Sequence, residues 1–236
     1  MLVVPAILPA SREIFEKELA LLLEIPSVSR VQLDAVDGQY ASPASWPFSA
    51  PEEFMQLLAR GARLPNLDRI EYELDLMCAN ALQAVGYGLT VGATRFTLHV
   101  DDASRARQLL SEVKEQYGIR DGVPSKSVSF GIALSIGSDI GIAEQALEHI
   151  QYVQFMGIDH IGRQGEPFDE RVFDSIREFH ARYPEFPMQV DGGVSLASAN
   201  RLSSLGISTL VVGSAILRAD NPSDAFEAFS RVEGTA

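Results

Sequence analysis

The sequence contains a single cysteine, and it lacks both a signal-like N-terminal segment and an apolar run long enough to cross a bilayer. Cys78 has no second cysteine with which to form an internal disulfide, which favours a reducing compartment over secretion. The segment Met1–Pro9 has no basic residue and contains two prolines, unlike a secretory signal. We therefore expect a cytoplasmic protein without a membrane-spanning segment.

Basic residues are also scarce, since 19 Lys and Arg stand against 32 Asp and Glu and give a formal net charge of −13. Binding to nucleic acid or to an anionic membrane surface depends on clustered positive side chains. We therefore expect neither nucleic acid nor membrane as a partner. A single phosphate group remains a possible ligand, because uncharged backbone N–H groups can hold it.

No Pro-rich, Gly-rich or Ser-rich linker and no shift in composition divides the chain of 236 residues. Hydrophobic residues make up 46% of the sequence and charged residues 22%, which is enough apolar material for a large core. We expect one domain spanning residues 1–236.

Short β-rich runs alternate with longer amphipathic runs along the chain, which is the pattern of a parallel sheet covered by helices. The eight predicted strands are Leu2–Leu8, Ser29–Ala35, Arg69–Leu76, Arg95–Val100, Val128–Ser135, Tyr152–Met156, Pro187–Val190 and Thr209–Val212. The eight predicted helices are Glu13–Glu24, Pro51–Arg60, Ala79–Val85, Ala103–Tyr117, Ile140–His149, Asp169–Tyr183, Leu196–Leu205 and Pro222–Val232. Eight consecutive βα units favour a closed (β/α)8 barrel, and an open doubly wound sheet is the alternative.

Polar residues gather where the second and third predicted strands end, the place where such barrels carry their functional groups. Alternation along the second strand places Gln32 and Asp34 on the face opposite Leu33. The same alternation turns Asp75 and Met77 inward from the third strand. These side chains are therefore predicted to face the barrel mouth.

Small residues follow the seventh and eighth strands, as Asp191-Gly192-Gly193 and Gly213-Ser214. Such turns expose backbone amides to a ligand above the mouth. Taken singly, an Asp-Gly pair is more often an ordinary turn. Three inward carboxylates at three strand ends instead favour a functional cluster, because unpaired buried charge is costly.

These residues resemble those of the ribulose-phosphate 3-epimerase family, and the resemblance runs in order along nearly the whole chain. It is carried by Val4-Pro5-Ala6-Ile7-Leu8, Leu33-Asp34-Ala35-Val36-Asp37-Gly38, Asp75-Leu76-Met77, Leu98-His99-Val100, Gly131-Ile132-Ala133-Leu134, Val190-Asp191-Gly192-Gly193-Val194 and Val212-Gly213-Ser214-Ala215-Ile216. The last two segments are the most specific, because the family holds phosphate with both. The resemblance implies a barrel of the ribulose-phosphate-binding type.

In that family two aspartates flank the carbon next to the ketone, one removing its proton and the other returning a proton on the opposite face. The resemblance places Asp34 and Asp191 in these roles, which fits the need of inversion for an acid and a base on opposite sides. The phosphate would lie on the amides of Gly192, Gly193, Gly213 and Ser214.

The family holds its metal with the two aspartates and two histidines, and here Gln32 and Asp75 replace the histidines. Carboxylate and amide oxygens suit magnesium or manganese, whereas imidazole suits zinc and iron. We expect either a weakly held hard cation, bound by Asp34, Asp75, Asp191 and Gln32, or no metal. Without a cation the carboxylates would repel one another, which should raise at least one pKa. A protonated Asp75 could then donate to the enediolate oxygen.

Met77 and Met156 match two methionines that line the family's pocket, whereas Val36 replaces a third and Ala6 replaces a serine that contacts the substrate. The family's Pro-Gly-Phe-Gly-Gly-Gln loop is replaced after the sixth strand by His160-Ile161-Gly162-Arg163-Gln164-Gly165. Arg163 is either a direct phosphate ligand or a solvated loop charge.

Five further residues have more than one interpretation or a structural one. His99 is a pocket candidate, although a histidine on a strand is more often a satisfied interior residue. Cys78 shows no sign of an activated thiol and should be buried. His160 matches nothing in the family, and Trp46 and Phe48 either cover the site or pack between subunits.

The leading interpretation is a pentulose-5-phosphate 3-epimerase-like isomerase that acts on a phosphorylated ketose. Two alternatives stay open, a non-catalytic sugar-phosphate-binding barrel and an isomerase of a different phosphorylated ketose. Decarboxylating and condensing relatives carry an Asp-x-Lys-x-x-Asp array on the second strand, and no lysine follows Asp34. The resemblance also implies a homo-oligomer.

Overall fold

A computed structural model describes residues 1–117 and 128–232 of the chain. Its strands are β1 (Leu2–Ile7), β2 (Arg30–Val36), β3 (Glu71–Met77), β4 (Arg95–His99), β5 (Ser129–Leu134), β6 (Tyr152–Met156), β7 (Met188–Asp191) and β8 (Thr209–Val212). The helices of the described residues are α1 (Arg12–Leu23), α2 (Pro51–Ala59), α3 (Ala81–Val91), α4 (Ala103–Tyr117), α5 (Gly141–Glu144), α6 (Val172–Arg182), α7 (Leu196–Ser204), α8 (Ser214–Leu217) and α9 (Pro222–Ser230).

The strands pair in parallel and in sequence order, and β1 closes the ring against β8. The predicted closed barrel is confirmed, and each predicted strand is found with ends shifted by no more than two residues. The pairing registers bring the functional candidates to one level. Asp34 lies opposite Asp75 across β2 and β3, and Met156 lies opposite Asp191 across β6 and β7.

Three predicted helices have the wrong length, and the sixth, expected over Asp169–Tyr183, covers only Val172–Arg182. The third was expected to end at Val85, before two glycines, but α3 continues to Val91 and ends at Gly92 with φ +101°. Gly88 lets this helix lie close to the sheet, since a Cβ there would come within 2.5 Å of the Leu74 and Phe96 side chains. The fifth was expected over Ile140–His149, whereas only Gly141–Glu144 is α-helical and the His149 N–H bonds to the carbonyl three residues back.

The outward faces of the strands form an apolar core with the helices, and the inward faces do not. Phe96 and Leu98 on β4 point outward and are fully buried in that core. Thr97 and His99 on the same strand point inward. Since successive side chains of a strand alternate between its faces, one strand serves both the core and the barrel interior.

A layer of buried polar side chains fills the barrel beneath its mouth. The Glu73 carboxylate accepts hydrogen bonds from Arg95 at 2.8 Å, from Thr97 at 3.0 Å and from Gln189 at 2.6 Å. The Arg95 guanidinium also lies 3.4 Å from the centre of the Tyr152 ring. Barrel interiors are usually filled by branched apolar residues, so this hydrogen-bonded layer is an unusual floor for the mouth.

Across the part of the chain that is described, we find no helix with the length and apolar character needed to cross a membrane.

Candidate active site at the carboxyl ends of the strands

A cavity of about 240 Å³ opens at the carboxyl ends of the strands, where barrels of this kind carry their sites. Ten of the twelve sequence-predicted site residues line it, namely Asp34, Asp75, Met77, Met156, Arg163, Asp191, Gly192, Gly193, Gly213 and Ser214. The two others, Gln32 and His99, are buried behind the aspartates and hydrogen-bond to them.

Three carboxylates meet in the centre of the mouth. One oxygen from each of Asp34, Asp75 and Asp191 lies within 4.8 Å of the other two. The Asp75 side chain is fully buried and Asp34 is 9% exposed. Barrel closure and strand register produce this cluster, because its members come from β2, β3 and β7.

The Gln32 amide bridges two of these carboxylates. Its Nε2 donates to Asp34 Oδ1 at 2.8 Å and to Asp191 Oδ2 at 2.7 Å, so both of its hydrogens are used. The amide thus fixes the separation of the two side chains that the family resemblance implies for proton transfer. Its own oxygen is buried and has no hydrogen-bond partner among the described residues.

Desolvation and mutual repulsion raise the pKa of two of the aspartates. The pKa of Asp34 lies well above its usual range because of burial and then because of the negative charges of Asp191 and Asp75. Burial and the charge of Asp75 raise the pKa of Asp191 to about 7, against the opposing effects of Gln32 and His99. A carboxyl group that titrates near neutrality can both donate and accept a proton at physiological pH.

Glycines shape the turn beside Asp191. Gly192 and Gly193 have φ values of +102° and +64°, in the left-handed region that other residues rarely adopt. A Cβ on Gly193 would also come within 2.7 Å of the Phe168 backbone. The N–H groups of these two glycines and of Ser214 donate to no loop or turn carbonyl within residues 1–117 and 128–232. They are therefore available to an anion in the cavity.

The loop after β6 crosses the mouth and adds residues that the sequence analysis did not single out as site residues. Gln164 Nε2 donates to the Ala6 carbonyl oxygen at 3.4 Å, and a Cβ on Gly213 would meet the same nitrogen at 3.0 Å. Gly162 and Glu166 also line the cavity. Functional groups of barrels lie in the loops after strands, so the position of these three residues in the chain could have indicated them. Their spacing matches no known motif that would have singled them out.

Four other residues named from the sequence do not contact the three carboxylates in the described structure. Arg163 is exposed and forms no ion pair with any described residue. His160 is 71% exposed, with its Nδ1 3.9 Å from Glu166. Cys78 is buried, as predicted, and burial raises the pKa of its thiol. Trp46 stacks on Phe15, with ring centroids 4.7 Å apart, in the apolar core next to α1.

The donor atoms of the cluster suit a hard cation. The carboxylates of Asp34, Asp75 and Asp191 supply oxygen only, and Asp75 Oδ2 and Gln32 Oε1 are buried acceptors without a partner among the described residues. Hard divalent cations such as magnesium and manganese prefer oxygen ligands of this kind. The donor set therefore fits such a cation better than it fits zinc or iron.

Comparison with known proteins gives a consistent assignment. The sequence profile described as the ribulose-phosphate 3 epimerase family matches residues 2–217. A ribulose-phosphate 3-epimerase of Schizosaccharomyces pombe is 23% identical over 133 residues, covering 56% of this chain and 54% of that protein. The cytoplasmic isoform of ribulose-phosphate 3-epimerase from Oryza sativa is 26% identical over 162 residues, covering 68% of each. The match thus spans about half the length of the first relative and about two thirds of the second.

Solved structures share the fold. KGPDC from Streptococcus mutans in complex with D-R5P superposes with a TM-score of 0.66 at 17% identity, covering 97% of this chain and 94% of that one. The 3-hexulose-6-phosphate synthase from Salmonella typhimurium gives a TM-score of 0.65 at 15% identity, covering 98% of each chain. At these identities the likeness establishes the barrel alone.

Proposed function

The chain belongs to the ribulose-phosphate 3-epimerase family, and from that premise we propose that it is an isomerase that inverts the carbon next to the ketone of a phosphorylated ketose. The observation that carries the proposal is the bridged pair of Asp34 and Asp191. Gln32 holds the two carboxyl groups 2.8 Å and 2.7 Å from a single nitrogen atom, beside the glycine turn after β7.

The proposed reaction needs one ionised and one protonated carboxyl group. The ionised group takes the proton from C3, which leaves an enediolate, and the protonated group gives its proton to the opposite face of the same carbon. The C3–H bond is broken and remade with inverted configuration, and the two aspartates exchange protonation states. The raised pKa values of Asp34 and Asp191 support this arrangement, because they favour a pair that shares one proton near neutrality.

The remaining residues of the cavity bind and orient the substrate. We propose that the N–H groups of Gly192, Gly193, Gly213 and Ser214 hold the phosphate, supported by the free amides of Gly192, Gly193 and Ser214. Asp75 lines the same cavity, where its unpartnered Oδ2 would accept a hydrogen bond from a substrate hydroxyl group. Met77 and Met156 supply apolar wall to the cavity.

A hard cation would be held by Asp34, Asp75 and Asp191 together with Gln32 Oε1, and when bound it would supply positive charge to the enediolate. With or without this cation, the proposal leaves proton transfer to Asp34 and Asp191 and their spacing to Gln32.

The test incubates the protein in heavy water with D-ribulose 5-phosphate and with a panel of other phosphorylated ketoses. NMR then monitors exchange of the C3 proton of each substrate. The wild-type protein should exchange and invert C3. Asp34→Asn and Asp191→Asn should each lower the inversion rate by about 10²–10⁴-fold, because each removes one of the two proton carriers.

The single variants also separate two-base transfer from other routes. Each variant should still exchange the proton of the epimer whose C3–H faces the remaining aspartate, without inverting it. Thermal stabilisation by a ketose phosphate with no exchange would instead favour the non-catalytic binder. Exchange with another ketose but not with a pentulose phosphate would reassign the substrate.

A further inference from the structure

We propose that His99 is a positioning residue that acts through Asp75. It holds one carboxyl oxygen of Asp75 against the barrel wall, so that the other oxygen is the one presented to the ligand. The catalytic readout of this inference depends on the proposed function, whereas its structural readout does not.

The first support is the geometry of the His99–Asp75 pair. His99 ends β4 and Asp75 lies near the end of the adjacent strand β3. The His99 Nε2 and Asp75 Oδ1 atoms are 2.8 Å apart, and the two side chains are 1% and 0% exposed. Asp75 lines the cavity, whereas His99 does not. The histidine therefore contacts a residue that lines the cavity without lining the cavity itself.

The second support is the state of the other Asp75 oxygen. Oδ2 is buried and makes no hydrogen bond to any described residue. Buried carboxylate oxygens are rarely left without a partner, so such an atom on a residue that lines the cavity indicates a partner that a ligand supplies. Because Oδ1 is already used by His99, Oδ2 is the Asp75 oxygen left for a ligand. A substrate hydroxyl group next to the ketone is a donor of the matching kind.

The third support is the loop that covers His99. The Tyr40 ring lies edge-on to the imidazole, with centroids 6.1 Å apart, and its hydroxyl donates to Asp101 Oδ1 at 3.1 Å. Asp37 Oδ1 accepts from the Tyr40 N–H at 2.8 Å and so fixes the start of this loop. A covered histidine keeps one orientation, because water cannot compete for its hydrogen bond.

The alternative is that His99 only fills space in the barrel. His99→Leu removes the ring nitrogen and keeps an apolar side chain in the buried position, whereas His99→Gln keeps a donor. His180→Gln, on α6 outside the cavity lining, is a matched control for losing a histidine. We expect His99→Leu to lower kcat for C3 exchange by about 10- to 100-fold, the size that follows from a misplaced site group. His99→Gln and His180→Gln should stay within about threefold of the wild type.

A double-mutant cycle with Asp75→Ala then decides how His99 acts. A positioning residue has nothing left to position once Asp75 is gone, so the double variant should be no slower than Asp75→Ala alone. The inference would be overturned if the loss of kcat in the double variant equalled the product of the two single-variant losses. It would also be overturned if His99→Leu kept the wild-type kcat.

A spectroscopic measurement keeps the inference testable without turnover. The sequence contains four histidines, so ¹⁵N imidazole spectra are simple to assign. The hydrogen-bonded ring signal of His99 should shift in Asp75→Ala and stay unchanged in His180→Gln. An unshifted His99 signal would refute the positioning role, whereas absence of exchange in the wild type with every ketose would refute only the proposed function.

Discussion

The two faces of strand β4 show how differently one strand can be used. Outward, Phe96 and Leu98 pack into an apolar core that any barrel of this size needs. Inward, Arg95, Thr97 and His99 make hydrogen bonds to carboxylates of β3. The outward face stabilises the fold without specifying chemistry, whereas the inward face places charge where a ligand can meet it.

The largest effect should follow from removing the positive charge of Arg95 on the inward face of β4. Arg95→Leu would leave the fully buried Glu73 carboxylate without its ion-pair partner, and breaking such a pair typically costs about 3–5 kcal/mol. We expect urea unfolding to show a loss of this size, together with reduced C3 exchange by the molecules that remain folded. The activity loss follows because Glu73 and Gln189 lie directly beneath Asp75 and Asp191 along their strands.

Leu98→Ala is the matched change on the outward face of the same strand. Deleting its buried methyl groups should cost about 3 kcal/mol of unfolding free energy, while kcat per folded molecule stays at the wild-type value. Equal activity losses in both variants would show that the two faces do not divide their roles as we argue.

A smaller effect should appear as a dependence of stability on pH. Desolvation raises the pKa of Asp191 to about 7 in the folded protein, above its usual value, so the folded state binds more protons than the unfolded state between about pH 4 and 7. Wild-type stability should therefore fall as pH rises through this window. Asp191→Asn should match the wild type near pH 4 and exceed it by roughly 1–2 kcal/mol at pH 8.

Thermal and urea unfolding at several pH values, with chelator present, would measure this difference. A wild type that is no less stable than Asp191→Asn at pH 8 would show that Asp191 does not carry the raised pKa. The result would then weaken the proposed sharing of a proton with Asp34. It would leave the barrel and the outward core unaffected.

The sequence predicted the fold well because successive side chains of a strand alternate between its two faces. The pattern of apolar and polar residues therefore shows which face is which. Alternation placed Gln32, Asp34 and Asp75 on the inward face correctly, since period 2 does not depend on the rest of the chain. It could not predict that Gln32 would bridge to Asp191, 159 residues away, because that contact requires ring closure.

The layer of buried polar side chains beneath the mouth was not predicted, for a different reason. Glu73 and Arg95 obey the same inward parity as the site residues, but isolated charges in a sequence usually indicate solvent-exposed positions. Only the closed ring shows that each charge has a partner. Likewise, Gly162 and Gln164 lie at the mouth because of the conformation of an irregular loop, which a periodic sequence pattern cannot predict.

The smallest expected effect concerns Arg163, which belongs to neither face of the strands. The side chain is exposed and unpaired among the described residues, yet it lines the cavity that holds the glycine turns. If it meets the phosphate, Arg163→Gln should raise KM for a phosphorylated ketose by about 3- to 10-fold and leave kcat unchanged, and added salt should narrow the gap because exposed charges are screened. Arg63 lines a different surface groove, so Arg63→Gln is the control for the loss of one positive charge. An unchanged KM in Arg163→Gln would place this arginine among solvated loop charges and leave phosphate recognition to the backbone amides.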